Sequence, residues 1–409
     1  MKKLLVYYNG WGEHWLLGTL ADNGNQLLFE YSPEALRQGL ELSPRHLMLR
    51  EQAYGSFPEH LQHLPGLIAD SLPDGWGMLL MDRLFRKNGM VPATMSPLDR
   101  LAFIGNRALG ALSFEPDDML VPQKEDVKLL ELAKDVQAII AGKDSIALRQ
   151  LALMGGSPHG ARPKVLVYYE EQTSAMSTMP IAGGLPWIIK FQAQNEHKEV
   201  CALEDLYAQL ARNCGLDMPA THHFDLDKKL AAFGIARFDV EDGMRVPVHT
   251  LAGALHANFR LPSSVDYTTF LRATRMFTRD EREVQKAYER AVFNVVFNNH
   301  DDHSKNISFR LGRDRCWRLA PCYDLTFCEG PGGEHQMDVC GEGCNITRAK
   351  MLELAKQGGL NMAWAGDVVD RITEQAGHFQ QLASIKNIHK ATVKLVGSAI
   401  EENRKLLLA

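Results

Sequence analysis

The densest run of chemically competent side chains is Asn298-Asn299-His300-Asp301-Asp302-His303-Ser304-Lys305-Asn306. Asp324 follows after the segment Ala320-Pro321-Cys322-Tyr323. Phosphoryl transfer needs a carboxylate that orients the attacking hydroxyl and takes its proton, and oxygen ligands for Mg²⁺ on a triphosphate. Asp301 can be that base, with Asn306 and Asp324 as metal ligands. Asn306 lies five residues after Asp301, the spacing of a kinase catalytic loop. Lys305 can neutralise charge on the transferring phosphate. Asp and Asn also favour plain turns by bonding their own backbone. The concentration of charge between two apolar elements favours chemistry.

Those elements are legible on both sides. Upstream, Val284, Tyr288, Ala291, Val292 and Val295 recur as on one helix face. Downstream, Ile307-Ser308-Phe309, a turn at Gly312 and Cys316-Trp317-Arg318-Leu319 read as a hairpin near 307–319. A hairpin folding back brings Asp324 beside the loop the chain has just left. Further upstream, Trp187-Ile188-Ile189-Lys190-Phe191 is a strand with one lysine inside, suited to the α/β-phosphates of ATP. Glu204, on a helix predicted over 199–213 and closed by Gly215, is the matching ion-pair partner. Met154-Gly155-Gly156-Ser157-Pro158-His159-Gly160 is glycine-rich, with backbone N–H groups available to phosphates. Taken singly, Lys190 reads as a strand-edge lysine, Glu204 as a solvated helix residue and 155–160 as a connector.

The remainder divides by pattern. Leu4-Leu5-Val6-Tyr7-Tyr8, His14 to Leu20 and Leu27 to Tyr31, with Asp22-Asn23-Gly24-Asn25 between the last two, predict a three-strand meander. A largely helical stretch over 67–85 contains Asp74-Gly75-Trp76-Gly77, read as a helix interruption around a packed Trp. Residues 104–114 return to a strand, 125–153 read as amphipathic helix, and 165–169, 187–191 and 233–240 as strands. Helices dominate beyond about 248. The predicted class is α+β: a β-rich part at 1–118, a mixed part with the Gly-rich loop at 119–245, and a helical part at 246–409.

The chain resembles the HipA family of bacterial toxin kinases. The resemblance rests on Leu72-Pro73-Asp74-Gly75-Trp76-Gly77, Gly160-Ala161-Arg162-Pro163-Lys164, Ile188-Ile189-Lys190, Asp301-Asp302-His303-Ser304-Lys305-Asn306 and Leu319-Ala320-Pro321-Cys322-Tyr323-Asp324, in family order. It implies a bilobal protein-kinase-like fold with an added N-terminal β-rich subdomain and an all-helical C-lobe. It implies a serine/threonine protein kinase of a type II toxin–antitoxin system, using ATP and Mg²⁺ on a protein substrate in translation. Catalysis would fall to Asp301 and Lys305, and metal binding to Asn306 and Asp324. ATP binding would fall to Gly155, Gly156, Ser157, Gly160, Lys164, Lys190, Glu204 and His303. Ser157 would be an autophosphorylation site that silences the enzyme. A helix-turn-helix antitoxin would be the partner, and would bring DNA only indirectly.

Composition sets the outer bounds. With 409 residues, 45% hydrophobic and 23% charged, the chain is ordinary globular protein of about two or three domains. A net charge of -5 disfavours gripping nucleic acid over the whole surface. Seven cysteines without a Cys-x-x-Cys pair suggest reduced protein. The N-terminal apolar run is too short for a signal peptide and no stretch reaches the roughly 20 apolar residues of a membrane helix, so the expected compartment is cytoplasmic, without membrane contact. Two alternatives stay open. One is a degenerate kinase fold acting as co-repressor with a DNA-binding antitoxin. The other is a metal-dependent nuclease or phosphohydrolase built on His300 to His303 with His335; Cys328, Cys340, Cys344 and His335 are thinkable zinc ligands.

Overall fold

The computed structural model describes residues 1–117, 126–143, 147–155 and 159–409. The chain forms two compact units, one of Met1–Cys201 with Ala220–His249, the other of Ala202–Pro219 with Thr250–Ala409. Gly156 and Ser157 lie outside the described residues.

The first unit carries two five-stranded antiparallel sheets and, among the described residues, a small two-stranded one, Val240–Glu241 with Met244–Arg245. The first runs β1 (Lys3–Tyr8), β2 (Trp15–Asp22), β3 (Leu27–Tyr31), β4 (Ala53–Tyr54) and β5 (Leu112–Glu115), in the order β4-β3-β2-β1-β5. Leu4, Val6 and Tyr8 alternate into the core, as period-2 patterning requires. The predicted turn between β2 and β3 is an Asx turn: Asp22 Oδ1 accepts from Gly24 N at 2.8 Å and Asn23 Oδ1 from Asn25 N at 2.9 Å.

The second sheet comprises β6 (Lys164–Glu170), β7 (Ala175–Ser177), β8 (Leu185–Phe191), β9 (Thr221–Asp225) and β10 (Ala231–Ala236), ordered β7-β6-β8-β10-β9. Two of these strands were not predicted. The β7 segment is three residues long, and β9 reads Thr-His-His-Phe-Asp, so neither carries an alternating apolar signal. The helical stretch expected over 67–85 is two helices, Gly66–Ala69 and Gly75–Lys87. Pro73 disfavours helical backbone at Leu72 and splits them. The Asp-Gly-Trp-Gly motif is therefore the start of a helix, with Asp74 at the N-cap position. Likewise 125–153 holds two helices, Leu129–Ile140 and Leu148–Gly155, with Gly142 at φ +78 just after the first.

The second unit is helical apart from the predicted hairpin, Ser308–Leu311 with Trp317–Leu319. The helix Glu281–Val296 is its axis; Val284, Ala287, Tyr288, Ala291 and Val292 are fully buried. Asp280 caps it by accepting from Arg282 N at 2.9 Å. All seven cysteines are free. Among the described residues no helix is long and apolar enough to cross a membrane.

Candidate active site

In the second unit the 298–306 loop leaves the buried helix by a sharp reversal. Asn298 takes left-handed backbone at φ 53, which Asn tolerates better than most side chains. Its Nδ2 donates to Cys328 O at 3.1 Å. The two adjacent carboxylates then part company. The Asp301 side chain keeps 49% of its exposure, and Oδ1 stands 3.5 Å from His303 Nε2. Asp302 is buried. Its Oδ2 accepts from Tyr267 Oη at 2.6 Å and His335 Nδ1 at 2.7 Å, and its Oδ1 from the backbone N of Gln336 at 2.8 Å and Met337 at 3.3 Å. Behind Tyr267 the chain continues: Asn294 Nδ2 donates to Tyr267 Oη at 2.9 Å, and Asn299 Nδ2 to Asn294 Oδ1 at 2.9 Å. One carboxylate anchors the loop and its neighbour is left accessible.

Asn306 Nδ2 donates to Asp301 O at 2.8 Å. A carbonyl can only accept, so this bond fixes the amide and leaves Oδ1 as a hard oxygen donor, the type Mg²⁺ selects. Asp324 stands at φ 54, again left-handed. It is tied back as the hairpin predicts: Tyr323 Oη donates to Lys305 O at 2.9 Å, and Ser308 Oγ to Tyr323 Oη at 2.6 Å. Three buried polar atoms of the loop, Asn299 Oδ1, His303 Nδ1 and Ser304 Oγ, have no hydrogen-bond partner among the described residues, and the last two can donate. Buried polar groups are nearly always paired, so orphans here suit a site built to receive a polar ligand. The carboxylate and amide oxygens fit Mg²⁺, and the two orphan donors and Lys305 fit phosphate.

The first unit holds Gly155, Gly160, Lys164 and Lys190, while Glu204 falls in the second. Lys164 on β6 and Lys190 on β8 are direct cross-strand partners, both buried. Like charges directly opposite on a buried sheet repel, so this pair requires counter-charge or hydrogen-bond acceptors around it. Lys190 also lies opposite Phe233 of β10, its Nζ 5.6 Å from the ring centroid. Lys164 Nζ donates to His159 O, at the end of the Gly-rich segment. Replacing Lys164 by Met is expected to abolish the upward shift of the melting temperature given by Mg-ATP. A calorimetric melt with and without nucleotide decides it; an undiminished shift contradicts the assignment of Lys164.

The sequence reading missed the role of Asp74 and Trp76. Asp74 Oδ1 accepts from Gly160 N, Trp76 N donates to Gly160 O at 3.2 Å, and Trp76 Nε1 to Lys164 O at 3.0 Å. A Cβ at Gly75 would come within 2.7 Å of Gly160 O, so the helix start abuts the loop directly. The motif braces the base of the Gly-rich segment. An Asp before a helical run was the available N-cap signal. Glu204 is buried on the helix Glu199–Asn213, as the pattern predicted.

Among the described residues, His300, Asp301, Asp302, His303 and His335 form no cluster of metal-ligand spacing, which leaves the hydrolase reading without support. His300 Nδ1 donates to Glu329 O at 2.8 Å and His335 Nδ1 to Asp302 Oδ2 at 2.7 Å. Burial, reinforced by His335, pushes the His300 imidazole down to about 4, so it is neutral at pH 7. Among the described residues, Cys328, Cys340, Cys344 and His335 form no cluster of metal-ligand spacing.

The HipA-like C-terminal domain model matches residues 156–380, and the HipA N-terminal domain model matches residues 4–115. The chain belongs to the HipA family. Among solved structures it is similar to HipA of the Shewanella oneidensis MR-1 toxin–antitoxin system, determined with HipB and its operator DNA. That match is 17% identical, covers 99% of this chain and 97% of the other, and has a TM-score of 0.73. It shows that this HipA-family chain shares the α+β fold of that HipA, β-rich at the N-terminus and helical at the C-terminus. The Helicobacter pylori proinflammatory kinase CtkA matches at 14% identity over 55% of this chain and 88% of its own, with a TM-score of 0.37. Comparison with the curated proteins found no match.

Proposed function

We propose that this HipA-family chain is a Mg-ATP-dependent serine/threonine protein kinase acting as a toxin. The observation that carries the reading is the Asn306 Nδ2 to Asp301 O bond. It sets a metal-ligating oxygen and a half-exposed carboxylate on one loop, with the adjacent Asp302 buried as anchor. In this reading Asp301 accepts a hydrogen bond from the target Ser or Thr hydroxyl. It takes the proton as that oxygen bonds to the γ-phosphorus and the bond to ADP breaks. Lys305 stabilises charge on the transferring group. Held by Asn306 and Asp324, Mg²⁺ supplies positive charge that neutralises and orders the triphosphate. Gly155, Gly156, Ser157, Gly160, Lys164, Lys190, Glu204 and His303 are assigned to ATP. Residues 1–118, 119–245 and 246–409 are assigned as N-terminal subdomain, nucleotide-binding lobe and catalytic lobe.

The family, and the complex with HipB and operator DNA in which its Shewanella relative was determined, support a helix-turn-helix antitoxin as partner, with DNA reached through it. The protein substrate is assigned to translation, and the compartment to the cytoplasm. Intact and peptide mass spectrometry before and after Mg-ATP tests the reading. One phosphate on Ser157 is expected in the native protein and none in Asp324→Asn. Equal phosphate in both would refute the metal assignment. None in either, with no labelling of an added protein acceptor, would favour the co-repressor alternative.

A further inference from the structure

The segment 320–324 joins the hairpin strand Trp317–Leu319 to Asp324. That strand lies at a sheet edge, paired with Ser308–Leu311 alone, so its outer N–H and C=O groups have no neighbouring strand. Two charged side chains of the helix Glu281–Val296 take those places. Glu283 Oε2 accepts from Leu319 N at 2.8 Å, and Arg290 Nη2 donates to Ala320 O at 2.7 Å. Both side chains are buried, and two turns apart they share one helix face. Lys286 Nζ, 2.7 Å from Glu283 Oε1, balances the carboxylate from the solvent side. Ala320 is where the chain leaves the sheet. Its N–H still donates to Ser308 O at 2.8 Å across the hairpin. In a regular antiparallel pair its carbonyl would face the same partner, yet it is turned to Arg290. Burying this guanidinium is costly. Arg290 Nε and Nη1 have no hydrogen-bond partner among the described residues, and the Cys322 thiol beside it is a weak acceptor.

We propose that Glu283 and Arg290 are positioning residues for the metal site: they grip Leu319 N and Ala320 O, and so set the direction in which the chain reaches Asp324. The inference rests on the kinase reading, in which Asp324 holds Mg²⁺. The geometric need is strict. Mg²⁺ demands near-octahedral oxygens at about 2.0–2.1 Å. The chain from Ala320 to Asp324 reaches at most about 14 Å, so a small swing where it leaves the sheet carries the carboxylate out of range. Pro321 offers no N–H to a ladder and keeps Ala320 out of helical backbone. The next anchors lie further on: Cys322 N donates to Asp217 O at 2.7 Å, and Tyr323 Oη to Lys305 O at 2.9 Å. The start of the segment is therefore set by the pair on the helix. Hydrogen bonds with one charged partner are the shorter and stronger kind, suited to holding a peptide group in one orientation. An apolar side chain of similar volume would pack there at lower cost, so stability alone gives no reason for a guanidinium.

The test compares Arg290→Met, which keeps apolar bulk and loses every donor, with Arg290→Lys, which keeps a charged donor for Ala320 O. The Mg²⁺ concentration that gives half-maximal phosphotransfer is expected to rise about 10- to 100-fold in the Met variant, the usual cost of losing a partner that orients a metal ligand. Saturating Mg²⁺ should restore most of kcat, with KM for ATP changed far less. The Lys variant should stay near native in both. Hydrogen–deuterium exchange over 320–325, followed by mass spectrometry, reads the segment without turnover. Exchange should quicken several-fold in the Met variant and stay near native in the Lys variant. An unchanged Mg²⁺ requirement in the Met variant would overturn the inference, as would unchanged exchange. A lowered melting temperature with both readouts native marks a purely structural role and overturns it too. If the native protein transfers no phosphate, the kinase reading fails, while the exchange arm still decides whether the pair holds the segment. If Arg290→Met loses its native melt, Glu283→Leu is compared by the same two readouts with Glu283→Gln, whose amide oxygen still accepts from Leu319 N.

Discussion

Asp301→Asn should lose phosphotransfer by two to four orders of magnitude and keep its melting temperature. The first half follows from chemistry. A positioned general base contributes about 10²- to 10⁴-fold, and an amide of the same shape cannot accept the hydroxyl proton. The second half follows from exposure. With 49% of the side chain accessible, exchanging this carboxylate for an amide of the same shape removes no buried group. Exposed substitutions of this kind usually change stability by about 0.5 kcal/mol or less. The variant should also retain the upward shift of the melting temperature by Mg-ATP, because Asn306, Asp324, Lys164 and Lys190 are untouched. A ligand at 100 times its Kd stabilises the folded state by about 2.7 kcal/mol, well within reach of calorimetry. Radiolabel transfer to protein measures the first effect and thermal melts the others. Transfer surviving in the variant would remove Asp301 from its role. Loss of the nucleotide shift would mean that Asp301 serves binding instead.

Much of this site was legible because its signals are local. The Asp301 to Asn306 spacing, the Glu199–Asn213 helix with Gly215 behind it, and the hairpin that returns Asp324 to the loop each lie within one short segment. What stayed hidden depends on register or on distant partners. Nothing in the sequence says that Lys164 and Lys190 stand opposite each other, since that follows from the pairing of β6 with β8. Asp74 appeared as a helix interruption because its partner, Gly160 N, is 86 residues away. The strands β7 and β9 are too short or too polar to show a period. Adjacent Asp301 and Asp302 look alike in sequence. Only the arrival of His335, Gln336 and Met337, more than 30 residues on, separates the anchor from the accessible carboxylate.

That separation can be measured, and it gives the largest stability effect expected here. Asp302→Ala is expected to cost about 3–5 kcal/mol, the usual result of removing one partner from a buried charged network. The cost comes from what is left behind. Tyr267 Oη, His335 Nδ1 and the backbone N–H groups of Gln336 and Met337 all lose their acceptor inside the protein. Tyr267 cannot reverse its bond cheaply, because its oxygen already accepts from Asn294 Nδ2. Asp302→Asn should cost less, about 1–3 kcal/mol, since one oxygen still serves the two backbone donors and only the amide group faces donors. His335 could relieve part of that conflict by moving its proton to Nε2, which Tyr267 cannot do. The predicted order is therefore native, then Asn, then Ala, read as midpoints of urea denaturation with an unchanged slope. A total stability of about 5–15 kcal/mol leaves the Ala variant marginal, so its phosphotransfer must be assayed well below its melt. If Asn and Ala cost the same, the backbone bonds to Gln336 and Met337 contribute nothing and the anchor is the Tyr267–His335 side alone. If Ala costs less than about 1 kcal/mol, Asp302 does not hold the loop. The accessibility of Asp301 would then need another cause.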